Sequence, residues 1–556
     1  MIKTRFTNFF SVVACITCLL ITSNANAQNW PPLQGIGGLG TSGDPWQITT
    51  ITLLEELALY VNAGNGPQTA GKYYILINDI SYISQHRPGW DPIGNNTNAG
   101  AIFQGNFDGN GKTVSIYSNR SSEAFIGLFG YISNAEIKNL GVEANRFIRG
   151  GQCVGGLVGR ADNSIIHNCY VVGSITGNSH VGGLVGLNYN SNISNCYTLC
   201  EVSGNRAVGG FVGVNFGTVQ TCYAAETITS TNGQSGGFVG VNMHTIINCY
   251  ATGNVSGTGS NIGGFAGINS SGTISNCYAS GDINITLGDY IGGMVGENSN
   301  SATLQNCVAA NNTIIGGVSN VNRVAGANFG NESNNYAYGN MVTPQPLGGV
   351  SGIPKNMLEL MSFNFYNTGS NWFNSTPWSI DYMPNPNKSW ILCDDNMLPR
   401  LQWEGIICTP IIPDTCFFNA YGGDGTQGNP YKIYFPCQLA DLATFVNSGN
   451  GLQTKNKYFK LMNDIDLTVY SYGNGWEPIG GYGYFDHHIH FNGFFDGNGK
   501  IITNLKINRV RLDPVGLFGV LSNATIHDLG IENCDIIGGF MASSLVGDTY
   551  NVTINR

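Results

Sequence analysis

Six cysteines recur along the middle of the chain: Cys169, Cys196, Cys222, Cys249, Cys277 and Cys307. Five of them precede a tyrosine: Tyr170, Tyr197, Tyr223, Tyr250 and Tyr278. Thiols in such a series could form disulfides or hold a metal. Catalysis needs a residue once, so the repetition points to architecture. The chain carries its own control. Related stretches read Ile137 to Gly141 and Ile526 to Gly530, with Leu140 and Leu529 in the cysteine slot. A slot that accepts Cys or Leu faces an apolar interior. Side chains stacked in register on parallel strands suit neither a bridge nor a tetrahedral metal site. The six are therefore expected to form a structural ladder of buried free thiols acting as small hydrophobes. Cys393, Cys408, Cys416 and Cys437 lie outside the series and are disulfide candidates, with the pairing left open.

The densest metal-ligand cluster is Asp486, His487, His488 and His490. A matching loop near Ala99 to Ile102 has no histidine, so these four are weak metal candidates and no cofactor is expected. None of the eight histidines is followed by glutamate, which excludes a His-Glu-x-x-His metallopeptidase motif. There is no P-loop. The Asp-Gly-Asn-Gly stretches at Asp108 and Asp496 each offer one acid and read as plain turns rather than calcium loops.

The elements that position these residues come from a repeat. Glycine pairs at Gly155-Gly156, Gly182-Gly183, Gly209-Gly210, Gly236-Gly237, Gly263-Gly264 and Gly292-Gly293 are spaced 27, 27, 27, 27 and 29 residues apart. The unit reads G-G-[LFM]-[VA]-G-x-N, then I-x-N-C-Y, then G-x-[IV]. It holds short runs of strand formers closed by Gly or Asn, with no sustained helical period. A unit this short cannot bury its own apolar face, whereas stacked units can. The expected fold is all-β: a right-handed parallel β-helix (β-solenoid) with a short N-terminal capping helix, duplicated in tandem. In-coil alternation turns the tyrosines outward, so Tyr170, Tyr197, Tyr223, Tyr250 and Tyr278 are the ligand-surface candidates, with a purely structural column as the alternative. Asn168, Asn195, Asn248, Asn276 and Asn306 are expected to form an amide ladder or to sit as solvated turn residues.

The unit resembles the GLUG repeat of bacterial secreted and surface proteins, a family that includes adhesin-like proteins and regions of some immunoglobulin A peptidases. The resemblance covers about Phe125 to Gly330, with further coils near the C-terminus. It implies a secreted or cell-surface β-helix and supplies no catalytic residues.

A larger duplication frames the repeat. The stretch from Glu56 to Ile80 matches Asp441 to Ile465, and Gly89, Phe107 and Gly127 open motifs repeated at Gly475, Phe495 and Gly516. This divides the chain into a signal peptide (1–27), a first module (28–330), an aromatic and proline-containing cover with linker (331–415) and a second module (416–556). The leader carries Lys3 and Arg5, an apolar run from Phe9 to Ile21 and Ala25-Asn26-Ala27, the pattern of a cleavable secretory signal. The last residues align to the middle of a coil, which reads as a truncated second module. Helices are expected at about Leu53 to Asn62 and Leu439 to Asn447.

A net charge of −10 without a basic cluster argues against a nucleic-acid partner, and no stretch after the leader is long enough to span a membrane. The acids among the repeats, Asp162, Glu201, Glu226, Asp282, Asp289 and Glu297, share no slot, whereas glycan cleavage needs a positioned pair. The leading expectation is a non-catalytic adhesion, binding or stalk module with a protein or glycan ligand. A polysaccharide lyase or glycoside hydrolase is the alternative.

Overall fold

The computed structural model describes residues 36–555 apart from 83–88, 96, 98–99, 345–349, 382–384, 393–396, 406–416, 420–421, 471–473, 482–488 and 510–513. Cys393, Cys408, Cys416, Asp486, His487 and His488 fall outside the described residues. Two compact units divide at Ile406 and Ile407.

The first unit is a parallel β-helix. Strands at equivalent positions of successive repeats pair in parallel, from Val158–Asp162 through Val185–Ser194, Val212–Gln220, Val239–Asn242 and Ala266–Asn269 to Val295–Asn298 and Ala325–Asn328. A second ladder runs through Tyr170–Thr176, Tyr197–Gly204, Tyr223–Ala225, Tyr250–Ala251 and Tyr278–Ala279. Like therefore stacks on like. Ile166, Ile193, Val219, Ile246, Ile274 and Leu304 share one fully buried column, and Phe211, Phe238 and Phe265 stack face to face at 4.7 and 4.8 Å.

Close approach explains the second glycine of each pair. A Cβ on Gly210 would lie 2.2 Å from the carbonyl oxygen of Gly237 in the next coil, and Gly183, Gly237 and Gly264 face the same contact. None of these four has positive φ. Left-handed backbone is instead used at the corner before each cysteine, at Asn168, Asn195, Thr221, Asn248, Asn276 and Asn306. Asparagine tolerates that region because its short amide bonds locally.

The long amide ladder is a different one from that expected. It uses the asparagine that closes G-x-N. Asn188, Asn215, Asn242, Asn269 and Asn298 each donate Nδ2 to Oδ1 of the next coil's asparagine, at 2.7–2.9 Å, ending on Asn328. Asn188 through Asn298 are fully buried, so the ladder satisfies amides that would otherwise be costly to desolvate. Among the corner asparagines only Asn168 extends such a contact, to Asn139 at 3.1 Å.

Near the start of each unit a short strand, Trp46–Ile48 or Tyr431–Ile433, leads into a helix, Ile51–Tyr60 or Pro436–Phe445, which starts two or three residues earlier than expected. Thr50 caps the first by accepting from Leu53 N, and Pro436 starts the second, where its missing N–H costs nothing. Leu54, Leu57 and Ala58 enter the core of the first unit, and Leu439, Leu442 and Ala443 that of the second. The duplication holds bond for bond. Trp90 Nε1 donates to Leu128 O and Trp476 Nε1 to Leu517 O, while Asn62 and Asn447 each donate to the proline carbonyl and accept from the glycine N–H of the shared Pro-Ile-Gly. The second unit's sheet pairs Tyr431–Ile433, Tyr458–Leu461, Phe494–Thr503, Thr525–Glu532 and Thr553–Ile554 in parallel. No helix among the described residues is long and apolar enough to cross a membrane.

Candidate functional site

The cysteine ladder lies wholly inside. Cys169, Cys196, Cys222, Cys249, Cys277 and Cys307 are free and at most 1% exposed. Each thiol points at the carbonyl two residues before it, 3.1–3.2 Å away. Burial pushes the thiols of Cys169, Cys196, Cys249 and Cys307 well above the usual range, which disfavours the thiolate that metals and electrophiles require. Cys437 is in a disulfide whose partner is not among the described residues.

One residue later the chain turns outward into a continuous tyrosine column. Tyr170, Tyr197, Tyr223, Tyr250 and Tyr278 stack with centroids 4.9–5.1 Å apart and planes within 12°. Gly141, in the same slot one coil before, makes room for the first ring: a Cβ there would fall 2.3 Å from Tyr170 Cζ. The Tyr170 hydroxyl then reaches Thr113 Oγ1 at 2.8 Å.

The column is not uniform. The segment after the repeats folds over its far half, with helical turns Met357–Leu360 and Phe363–Asn367 followed by Trp372, Trp378, Trp390 and Leu401 in a shared apolar cluster with Tyr250, Tyr278 and Tyr336. Trp390 lies 6.2 and 6.0 Å from the rings of Tyr250 and Tyr278. The Arg400 guanidinium stands over Tyr223 and Tyr250, and Glu404 accepts the Tyr250 hydroxyl at 3.0 Å. Corner asparagines dock this cover. Asn248 donates to Ser389 Oγ and accepts from Trp390 Nε1, and Asn306 accepts from Phe373 N. The outward reading is thus corrected for Tyr250 and Tyr278, both 1% exposed: alternation turns them away from the coil interior, but a second layer covers them. Burial, with the Glu404 carboxylate adding, raises the Tyr223 and Tyr250 hydroxyls and keeps them neutral.

The near half stays open. Tyr170, Tyr197 and Tyr223 are half-buried. Trp403 closes the cover against them, 6.1 Å from Tyr197 and 5.8 Å from Tyr223, with Nε1 donating to Thr221 O. Beside it lies a cleft of about 550 Å³ lined chiefly by Asn195, Thr221, Asn387, Lys388, Gln402 and Trp403. Amides, a hydroxyl, one ammonium and an indole suit a polyhydroxylated ligand: polar groups meet hydroxyls and aromatic faces meet C–H faces. The sequence flagged the tyrosines and the tryptophan-rich segment separately. Their juxtaposition depends on the cover folding back, which no local pattern encodes.

The acids serve the coils. Asp162 is held by Arg160 at 2.8 Å and by the Tyr131 hydroxyl at 2.6 Å; burial and that carboxylate push Tyr131 up to about 12. Asp282 accepts from the backbone of Asn312 and Thr313, Asp289 from Ser319, and Glu297 from Asn261 and Ser299. Glu201 and Glu226 are exposed. Of the histidine cluster only His490 is described, and it is buried. Asp496, His527 and Asp528 gather instead within 4.8 Å. Lys460 already pairs with Asp496 at 2.8 Å, and His527 Nδ1 lies 3.0 Å from Asp528 and 3.6 Å from Asp496. Asp108 and Asp496 each accept the backbone N–H two residues on, as plain turns do.

The GLUG motif matches residues 150–176, 177–198, 231–256 and 258–284, each within a described coil. The chain carries GLUG repeats. Among relatives, a provisionally named Gly-rich membrane protein of Evansella cellulosilytica is 35% identical over 140 residues, and halomucin of Haloquadratum walsbyi is 34% identical over 148. The matched stretches cover 24% and 26% of this chain but only 15% and 2% of those proteins. A provisionally assigned immunoglobulin A1 protease from Bacteroides ovatus is similar over 45% of this chain and 79% of its own, at 24% identity and a TM-score of 0.37. A solved IgA1 protease is similar over 52% of this chain and 21% of its own, at 16% identity and a TM-score of 0.30. Both likenesses are too loose to carry a geometric argument.

Proposed function

We propose that this protein is a secreted or cell-surface β-helix that works by binding rather than catalysis, with the uncovered end of the tyrosine column and the Trp403 cleft as its ligand-facing ground. The stacked, half-buried rings of Tyr170 and Tyr197, beside the amide-lined cleft at Trp403, carry this reading. The ligand class they suit is a neutral glycan chain. A rod of coils zipped by inward amide and thiol columns supplies a rigid stalk for that ground. The secretory pattern at residues 1–27 and the membrane-protein and mucin names of the relatives support a place outside the cytoplasm. The test is a glycan array run with the full chain, followed by a depolymerisation assay on each captured glycan. Capture without cleavage is expected. Turnover of a captured glycan would overturn the non-catalytic reading, and an array without signal would remove the glycan ligand.

A further inference from the structure

The two units repeat one turn and one corner but differ in the side chains that meet there. In the first unit the Asp108 turn is tied to the next coil's corner by an ordinary hydrogen bond, Asn139 Nδ2 donating to Asp108 Oδ1 at 3.1 Å. Asp496 and Asp528 are the equivalent residues of the second unit. The amide donor is gone, and a second carboxylate stands in its place on the neighbouring coil. The first unit puts asparagine or threonine at this left-handed corner in every coil from Asn139 to Asn334, and Asp528 has the same backbone, with φ 54°. The acid is therefore not demanded by the corner.

The residue before the corner changes as well. Lys138 pairs with Glu136 at 3.3 Å in the first unit. In the second unit those two positions hold His527 and Thr525. His527 meets the aspartates instead, with Nδ1 3.0 Å from Asp528 Oδ2 and 3.6 Å from Asp496 Oδ1. A proton on Nδ1 serves Asp528, but 3.6 Å is too long for a hydrogen bond to Asp496. Two donors bound to one tetrahedral ion at about 2.0–2.1 Å lie about 3.3–3.4 Å apart, between the two spacings found. One divalent ion would engage the ring nitrogen and both carboxylates together.

The surroundings suit such an ion. Lys460 holds Asp496 Oδ2 at 2.8 Å, and the Asn498 N–H donates to Oδ1 at 2.7 Å, which fixes the carboxylate with a lone pair of Oδ1 still unused. Outer partners of this kind orient metal-binding carboxylates. With Lys460 counted and His527 neutral, two carboxylates and one ammonium leave the group net negative. Asp496 and His527 also line a cleft of about 410 Å³ together with Gln427, Tyr458, Lys460 and Phe494. The cleft gives water or a ligand oxygen access to a fourth position on the ion.

We propose that the second unit binds one divalent transition-metal ion through Asp496 Oδ1, His527 Nδ1 and Asp528 Oδ2, clasping two neighbouring coils where the first unit uses an amide. An imidazole nitrogen with two carboxylates favours zinc and its neighbours over calcium and magnesium, which take oxygen shells. The site shares no residue with Asp486, His487, His488 and His490. The experiment is isothermal titration of zinc chloride into the full chain, cleared of metal by a chelator and dialysis. His527→Lys and Asp528→Asn install the residues that the first unit carries, so each should keep the fold, which circular dichroism checks. The native chain is expected to bind zinc in the micromolar range and to melt at a higher temperature with zinc present. Each variant should weaken that binding at least tenfold and lose the rise in melting temperature. A chain carrying His487→Ala and His488→Ala should bind as the native chain does, and excess calcium or magnesium should not compete. A native chain that takes up no zinc overturns the proposal. So does zinc binding that survives both His527→Lys and Asp528→Asn, or that vanishes with His487 and His488. If His527→Lys fails to fold, Asp528→Asn decides alone.

Discussion

The cysteine column and the tyrosine column differ by one residue in sequence and by everything in surroundings. Both repeat once per coil and both stack in register. Every cysteine meets the same interior, so the column is uniform from Cys169 to Cys307. The tyrosines meet whatever lies across from the coil. For Tyr250 and Tyr278 that is Trp390 and its neighbours; for Tyr170 and Tyr197 it is partly solvent, with the Trp403 ring 6.1 Å from Tyr197. Repetition therefore marks architecture on the inside of a solenoid. On the outside it marks only a position, whose role is set by a segment far away in sequence.

The sharpest way to break this comparison is to place a charge in the inner column. Cys222→Asp leaves a carboxylate with no cation inside the coil, which costs several kcal/mol or forces protonation. Cys222→Ala leaves a small cavity worth about 1–2 kcal/mol. Thermal melting should separate the two by many degrees, and equal curves would mean the slot is exposed. The tyrosine column gives the next effect. Tyr250→Ser removes a ring stacked on both sides and a hydroxyl bound to Glu404, and should cost about 3 kcal/mol. Tyr197→Ser, at the open end, should cost about 1 kcal/mol. Equal losses would make the column one structural element.

A smaller effect is alkaline. Burial raises the thiols of Cys169, Cys196, Cys249 and Cys307, so at these four the folded state holds protons that the unfolded chain releases near pH 8.5. The stability they contribute is complete below that pH and declines above it, by up to about 1.4 kcal/mol per pH unit for each such thiol. Melting temperature should fall between pH 8.5 and 10, and Cys196→Ala should make the fall shallower. A pH-independent melt over that range would contradict buried thiols.

The coil repeat, the tandem duplication and the inward cysteines were legible because each depends on contacts between equivalent positions, which a period displays directly. Leu140 and Leu529 fixed the polarity of the slot. The buried asparagine ladder was missed although G-x-N stood in the unit, because asparagine reads as a turn residue until the next coil's amide is seen to satisfy it. The roof over Tyr250 could not be read either. Arg400, Trp403 and Glu404 lie more than a hundred residues from their partners, and no periodicity links them.

Binding by the paired tyrosine variants tests the central claim most directly. A glycan captured by the native chain is titrated against Tyr197→Ser and Tyr250→Ser at a temperature where both are folded. The open-end account expects Tyr197→Ser to weaken binding at least tenfold with its melting curve little changed, and Tyr250→Ser to melt earlier while binding within about twofold of native. Binding lost in Tyr250→Ser and kept in Tyr197→Ser would contradict it.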